Sequence, residues 1–396
     1  MAAGSIAVGW RPSSVSGWGV YGTNLVLQLL RLGRNPVLYL APHLLDIDET
    51  AARALKPVLQ RQAHLHSLLE KVGVLDLDFP VLHALRNDFM PPMSEQVARG
   101  SSNIGVIFFE DAHISDEGLA RARGYDLIVA GSEWNRAVAA ARGLPHVVTV
   151  LQGIDATLFH PRPRSARFAD RFVVFSGGKL EYRKAQDVVI AAFRAFNARH
   201  PDALLMVAWG NQWPAIMTTI ARSPYVEGTP NARADGTLDV GAWLECNGVP
   251  AGAYIDLGMT PNRAMPEHLA AADLALFPNR CEPGTNLVAM EAMAAGVPSI
   301  LAINTGQRDI ASDDHCYELT RQGSVEPYVP YSGTEGWGEP DVDEAVALME
   351  RAYVDRSARI KIGRAGADFM HRFDWSNQIA ELIIHVDAVD ARAGHS

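Results

Sequence analysis

Two stretches of this 396-residue chain hold residue types at spacings suited to chemistry. Phe277 to Ile303 reads FPNRCEPGTNLVAMEAMAAGVPSILAI, a strand, a loop, a helix beginning near Asn286, then Gly-Val-Pro and a second strand. A helix start preceded by glycine offers free backbone amides to an anion. Glu282 sits just before that start and Glu291 about one and a half turns into the helix. Carboxylates accept hydrogen bonds from hydroxyl groups, so an anion pocket flanked by two of them suits a phosphorylated sugar. A surface role for Glu291 is the blander reading. Its neighbours in LVAMEAMAAG are nearly all apolar, however, and a lone carboxylate there needs a partner. The second stretch, Phe175-Ser-Gly-Gly-Lys179-Leu-Glu181-Tyr182-Arg183-Lys184, also follows a strand and precedes a helix. Gly178 and its neighbour let backbone approach a ligand, and Lys179 and Lys184 are suited to a diphosphate. Arg183 divides evenly between that role and a solvated pairing with Glu181.

Other matches to known patterns are weaker. Gly17-Trp18-Gly19-Val20-Tyr21-Gly22 fits G-x-G-x-x-G letter for letter. In a dinucleotide site the first glycine follows the strand directly and an acidic residue ends the second strand. Here RPSSVS intervenes, and Ala41-Pro42-His43 follows the second strand. The glycines are better suited to laying a loop against a ligand. Asp46/Asp48, Asp76/Asp78 and Asp341/Asp343 mimic a metal-binding D-x-D, and three such pairs in an acidic chain point to surface carboxylates. His64 and His66 lie two apart on a helix and face different ways. No metal site is expected.

These segments need a scaffold, and hydrophobic periodicity supplies one. Strands are expected at Ser5–Trp10, Pro36–Leu40, near Val81, and at Ile104–Phe109, Asp126–Ala130 and Val147–Leu151. Helices are expected at Thr23–Leu32, Glu49–Val72 with a kink or break at Pro57, Asp116–Arg123, and Glu133–Arg142 capped by Ser132. Residues 156–171, rich in proline and arginine, read as a linker. Alternation then restarts, with strands at Phe172–Phe175, Ala203–Ala208, Tyr254–Leu257, Leu274–Phe277 and Ser299–Ile303. Helices are expected at Gln186–Arg199, Met265–Ala271, Leu287–Ala295, Asp343–Asp355, Ser357–Phe369 and Ser376–Ala388. Residues 323–340 read as a Gly/Pro/Tyr-rich loop. This is an α/β chain with two Rossmann-like halves facing a cleft, each a parallel sheet covered on both faces.

Composition narrows the function. Lys+Arg 35 against Asp+Glu 45 gives a formal net charge of -10, which argues against nucleic acid as partner. A small anionic ligand needs only a local cluster of donors. Three cysteines without C-x-x-C, no membrane-spanning run and a start lacking a basic, apolar leader make a reduced cytoplasmic setting the expectation. The 51–71 helix carries Arg53, Lys56, Arg61 and Lys71. A solvated amphipathic face is preferred there to peripheral membrane contact.

Taken in order, the motifs resemble those of retaining glycosyltransferases of family 4, with the GT-B fold. Asn103-Ile104-Gly105 through Phe109-Glu110, Ser132-Glu133-Trp134-Asn135, and Gln152-Gly153-Ile154-Asp155 through Phe159-His160-Pro161 resemble family signatures. So do Gly178-Lys179-Leu180 through Lys184-Ala185, Glu282 through Glu291 with its EAMAAGVPSI sequel, and Phe373-Asp374-Trp375. Eight residues separate the two glutamates where the family has seven, and the loop is expected to absorb the extra one.

The resemblance implies an N-terminal acceptor-side domain over 1–160, a sugar-nucleotide domain over 161–375, and a helix over 376–396 returning to the first domain. It implies transfer of a hexose-type sugar from a nucleoside-diphosphate sugar to an unidentified acceptor hydroxyl, with no cofactor. Glu291 would take the ribose hydroxyls, Lys179 and Lys184 the diphosphate, with Arg183 and Gly178 beside them. Amides of Thr285, Asn286 and Leu287 would hold the distal phosphate, Glu282 the donor sugar, and Gly19 the phosphates from the first domain. Glu110 and His113 would face the donor sugar or acceptor. The competing readings are an NAD-dependent oxidoreductase using Gly17–Gly22, a different reaction on the same fold such as a sugar-nucleotide epimerase or a phosphorylase, and a catalytically silent sugar-nucleotide-binding protein.

Overall fold

In a computed structural model of the chain, residues 4–91 and 97–393 are described. The expected ends of the outer segments, residues 1–3 and 394–396, lie outside the described residues. The first half holds β1 (Ser5–Val8), α1 (Gly17–Arg31), β2 (Asn35–Leu38), α2 (Glu49–Val72), β3 (Val81–Leu85), β4 (Asn103–Ile107), α3 (Asp116–Arg123), β5 (Leu127–Ala130), α4 (Glu133–Ala141) and β6 (Val147–Thr149). The second holds β7 (Phe172–Lys179), α5 (Gln186–Asn197), β8 (Ala203–Gly210), α6 (Val240–Cys246), β9 (Tyr254–Asp256), α7 (Met265–Leu269), β10 (Leu274–Phe277), α8 (Leu287–Ala294), β11 (Ser299–Ala302) and β12 (Tyr317–Leu319). The tail is α9 (Val342–Val354), α10 (Arg356–Met370) and α11 (Trp375–Ala393).

Each half is built on a six-stranded sheet, in the order β2-β1-β3-β4-β5-β6 and β9-β8-β7-β10-β11-β12. Every neighbouring pair in both sheets is parallel. Two Rossmann-like halves are therefore present, as the alternation of apolar runs implied. β7, Phe-Val-Val-Phe, is buried on both faces because helices cover both sides of its sheet. α11 returns to the first half. Trp375 stacks on Tyr21 of α1 with ring centroids 5.3 Å apart, and Arg34 pairs with Asp387 at 2.5 Å.

Local differences from the expectations have physical causes. α1 begins at Gly17 rather than Thr23, because the Ser16 hydroxyl accepts from the Gly19 amide and caps the helix six residues early. The glycine motif thus forms the first turns of a helix rather than a loop. α2 runs unbroken through Pro57. Its Leu55 and Val58 are buried in the core, and that packing holds the helix together across the missing amide. β12 and α6 did not stand out in the sequence, being short and weakly periodic.

Candidate active site

The groups singled out in the second half lie at the carboxyl ends of β7, β10 and β11, the edge where a parallel sheet offers its ligand crevice. β7 ends in Gly177-Gly178-Lys179. A Cβ on Gly177 would lie 2.8 Å from Val288, so glycine lets α8 pack against the strand end. Gly178 has φ +134°, a conformation that L side chains rarely adopt. The turn Tyr182–Lys184 follows, and Ala185 then enters α5 at φ +57°.

Beyond β10, the loop 278–286 ends at Asn286, with φ +64°, which asparagine tolerates better than most residues. Its side-chain amide donates to Gln307 Oε1 (2.9 Å), and the Gln307 amide donates to the Phe277 and Ala302 carbonyls (3.2 and 2.9 Å). Thr305, a β-branched residue held at φ +39°, accepts the Glu282 amide at 2.8 Å. Strain of this kind persists only where the surroundings over-determine it. Side chains of Ser or Asp cap α1, α3, α4, α9 and α10, whereas no side chain caps the first turn of α8.

Around that first turn the charges are buried and paired. The Lys184 ammonium donates to Glu282 Oε2, which also accepts from Asn279 Nδ2 at 2.8 Å. Burial pulls Lys184 below the usual lysine value, Glu282 opposes that shift, and Arg183 adds to it. Arg183 is buried rather than solvated. Its guanidinium lies 2.8 Å from Glu181, 3.2 Å from Glu110 and 3.8 Å from Glu282, so it gathers three carboxylates and is not free for a phosphate. Lys179 is half-buried, 3.2 Å from Glu181 and 5.4 Å above the Trp213 ring. Glu291 is buried and accepts from the Asn262 side-chain amide. Burial pushes its carboxyl up to about 8, with Asn262 pulling the other way.

The first half closes over this wall. Gly17 faces Leu287, whose Cδ1 lies 3.8 Å from where a Cβ would stand. Gly19 instead turns towards Ser13 of its own loop, and its amide is taken by the Ser16 cap. Ser132 both caps α4 and donates to the Pro283 carbonyl at 2.6 Å, while the Glu133 amide donates to Asp309 at 2.8 Å. The Asn262 amide donates to the Ser14 carbonyl at 2.7 Å. Glu282, Thr285, Asn286 and Glu291 are each no more than 6% exposed, so the closed halves shield all four from solvent.

The loop 323–340 is a strap from the second half to the first. Its Ser332 and Gly333 amides donate to Asp111 (2.9 and 2.6 Å), and Trp337 Nε1 donates to the Glu110 carbonyl (3.0 Å). Trp134 Nε1 donates back to the Glu335 carbonyl (3.2 Å). Asp111 is buried by these bonds. The sequence reading also missed Arg280, fully buried against Asp187 (2.6 and 2.8 Å) and Glu339 (2.5 and 2.7 Å). His113 is exposed and bonds through its backbone amide to Asp111 (2.9 Å). It is not drawn into the Lys184–Glu282 cluster.

Residues 170–328 match the family of group 1 glycosyl transferases. Over those residues the chain resembles a group 1 glycosyltransferase domain, and the fold is GT-B. A D-inositol 3-phosphate glycosyltransferase of Stackebrandtia nassauensis is 26% identical over 263 residues, 64% of this chain and 51% of that protein. The chain thus spans about half the length of that curated relative. Among solved structures, sucrose-phosphate synthase from Thermosynechococcus elongatus superposes with a TM-score of 0.65 at 15% identity, covering 98% of this chain and 100% of that one. Anabaena Alr3699/HepE, solved in complex with UDP-glucose, superposes at 0.61 with 15% identity, covering 96% and 99%. The domain's matched span contains every second-half residue of the candidate site. Among the described residues, no helix is long and apolar enough to cross a membrane.

Proposed function

We propose that the protein transfers a hexose-type sugar from a nucleoside-diphosphate sugar to an acceptor hydroxyl, with retention of the anomeric configuration and without a metal. The observation that carries this reading is the uncapped first turn of α8, bracketed by Glu282 and Glu291, with Lys184 held at Glu282. Glu291 accepts the ribose hydroxyls, and backbone amides at Thr285, Asn286 and Leu287 take the distal phosphate. Lys184 then turns from Glu282 to the diphosphate, joined by Lys179. The bond between the anomeric carbon and the phosphate oxygen breaks as the acceptor oxygen attacks on the same face. The acceptor proton passes to the departing phosphate oxygen. Negative charge grows on the leaving group, where the ammonium groups and the helix start act. Glu282, relieved of Lys184, holds donor-sugar hydroxyls. Arg183 keeps Glu110 at the cleft as a positioning residue.

The relative's activity on an inositol phosphate and the neighbour's complex with UDP-glucose support a sugar-nucleotide reading. The dinucleotide alternative has less support. Gly17 begins a helix nine residues after Val8 ends β1, instead of turning the chain directly from the strand. A thermal-shift screen of UDP-, GDP-, ADP- and TDP-sugars with NAD, followed by slow donor hydrolysis, tests the proposal. We expect one nucleoside-diphosphate sugar to stabilise the protein and to be hydrolysed, with both effects lost in Glu291→Ala. Stabilisation by NAD alone would overturn it. Stabilisation by a sugar nucleotide without turnover under any acceptor would favour a silent binding protein.

A further inference from the structure

The linker between the halves carries four arginines with different fates. Arg164 is bound bidentately by Asp273 (2.7 and 3.0 Å), and Arg171 donates to the carbonyls of Asp202, Ala203 and Gly252. Arg162 and Arg167 form no ion pair with any described residue. Arg162 reaches only the Leu158 carbonyl (3.1 Å), and Arg167 stacks over the Phe168 ring at 5.1 Å. Both are exposed and line one open groove of about 490 Å³, which also takes in His160, Ser165 and His268. The groove is built where the linker lies on α7, fixed by the Ser165 amide donating to the Ala270 carbonyl at 2.8 Å.

The charge there is uncompensated. Two guanidinium groups face one carboxylate, Glu267, which pairs with neither, and two imidazoles add further donors. Burial, followed by the nearness of Arg167, holds His268 below the ordinary histidine value, with Glu267 opposing. In a chain of formal net charge -10, such a concave positive surface selects an anion. Planar guanidinium forks match phosphate oxygens. The volume exceeds what a bare ion needs and leaves room for an attached polar group.

We propose that Arg162, Arg167, His160 and His268 form a second ligand site, separate from the donor cleft, for a phosphate monoester or diester, either a free phosphorylated small molecule or the headgroup of an anionic lipid. The proposal does not depend on the donor assignment. The test compares the full chain with the double variant Arg162→Glu/Arg167→Glu, whose residues lie outside the cleft. Glycerol 3-phosphate in solution and vesicles of phosphatidylcholine containing phosphatidylglycerol are the two probes, by calorimetry and by vesicle co-sedimentation. An unchanged melting temperature of the variant certifies its fold. We expect at least one probe to bind and the variant to bind it at least tenfold more weakly. Binding in solution identifies a free phosphate compound, and binding only to vesicles a headgroup. Binding of neither probe, or equal binding by the variant, overturns the proposal. If the variant fails to fold, Arg162→Gln/Arg167→Gln takes its place with the same criterion.

Discussion

Glu291 is a carboxyl group in an apolar helix with one amide partner, and its pH behaviour follows from that. Folding holds its proton up to about pH 8, while the unfolded chain releases it near the ordinary glutamate value of 4.5. The unfolded state therefore loses the proton first, so stability falls as pH rises from about 4.5 to about 8 and then levels off. The slope is at most ~1.4 kcal/mol per pH unit. Urea midpoints at pH 5 and pH 8 should show this fall in the parent protein and a much smaller one in Glu291→Gln. Ribose hydroxyls donate to the ionised form, so the nucleoside diphosphate should bind more tightly as pH rises towards 8, and Glu291→Gln should bind about tenfold more weakly. An unchanged affinity would remove Glu291 from the site. Lys184→Met leaves the Glu282 carboxylate buried without its cation, which costs ~3–5 kcal/mol. It should also lower turnover by ~100-fold, as losing a leaving-group stabiliser does. Adding Glu282→Gln should restore much of the melting temperature but none of the turnover, separating the structural loss from the chemical one.

At the scale of elements, the strap 323–340 has the clearest consequence. Asp111 accepts four hydrogen bonds, from the amides of His113, Ser332 and Gly333 and from the Ser332 hydroxyl. Asp111→Ala should release the strap from the first half and destabilise the protein by ~2–4 kcal/mol, given ~1–3 kcal/mol for each buried group left unpaired. Limited proteolysis should then cut within 326–336 faster than in the parent, and equal rates would deny the strap its anchoring. This element also marks the limit of what the sequence shows. Its composition spells a loop, and so it is, but its partners Asp111, Glu110 and Trp134 lie some two hundred residues away. Shorter separations, 93 and 59 residues, hid Arg280, whose carboxylates are on α5 and the strap. Periodicity reports which face of an element is apolar, so the strands and most helices were legible. Motif spacing placed Lys184, Glu282 and Glu291 because each sits within a few residues of a strand end or helix start. Arg183 was half legible: Glu181 is its near neighbour in sequence, but its burial depends on Glu110 from the other half. The early start of α1 was missed because the Ser16 cap was outweighed by the glycines that follow it.

For the whole molecule, the arrangement is a shut cleft. The halves meet through Ser132 and Pro283, Glu133 and Asp309, Asn262 and Ser14, and the Arg183–Glu110 ion pair, on every side of the buried Lys184–Glu282 pair. Surfaces between domains of one chain normally part and re-form, and parting of these halves would open Glu291 to a donor. The linker 156–171 joins the halves, and α11 meets α1 through Trp375 and Tyr21. The Glu133 amide and Asp309 carboxylate, 2.8 Å apart at the rim, are a place to lock the cleft. In Glu133→Cys/Asp309→Cys, oxidation should join the halves and abolish both nucleoside-diphosphate binding and donor hydrolysis, and reduction should restore them. Cys246 is the exposed native thiol, so the pair belongs in a Cys246→Ser background. Full donor binding in the oxidised protein, with the cross-link verified by mass spectrometry, would mean that the donor enters without the halves separating.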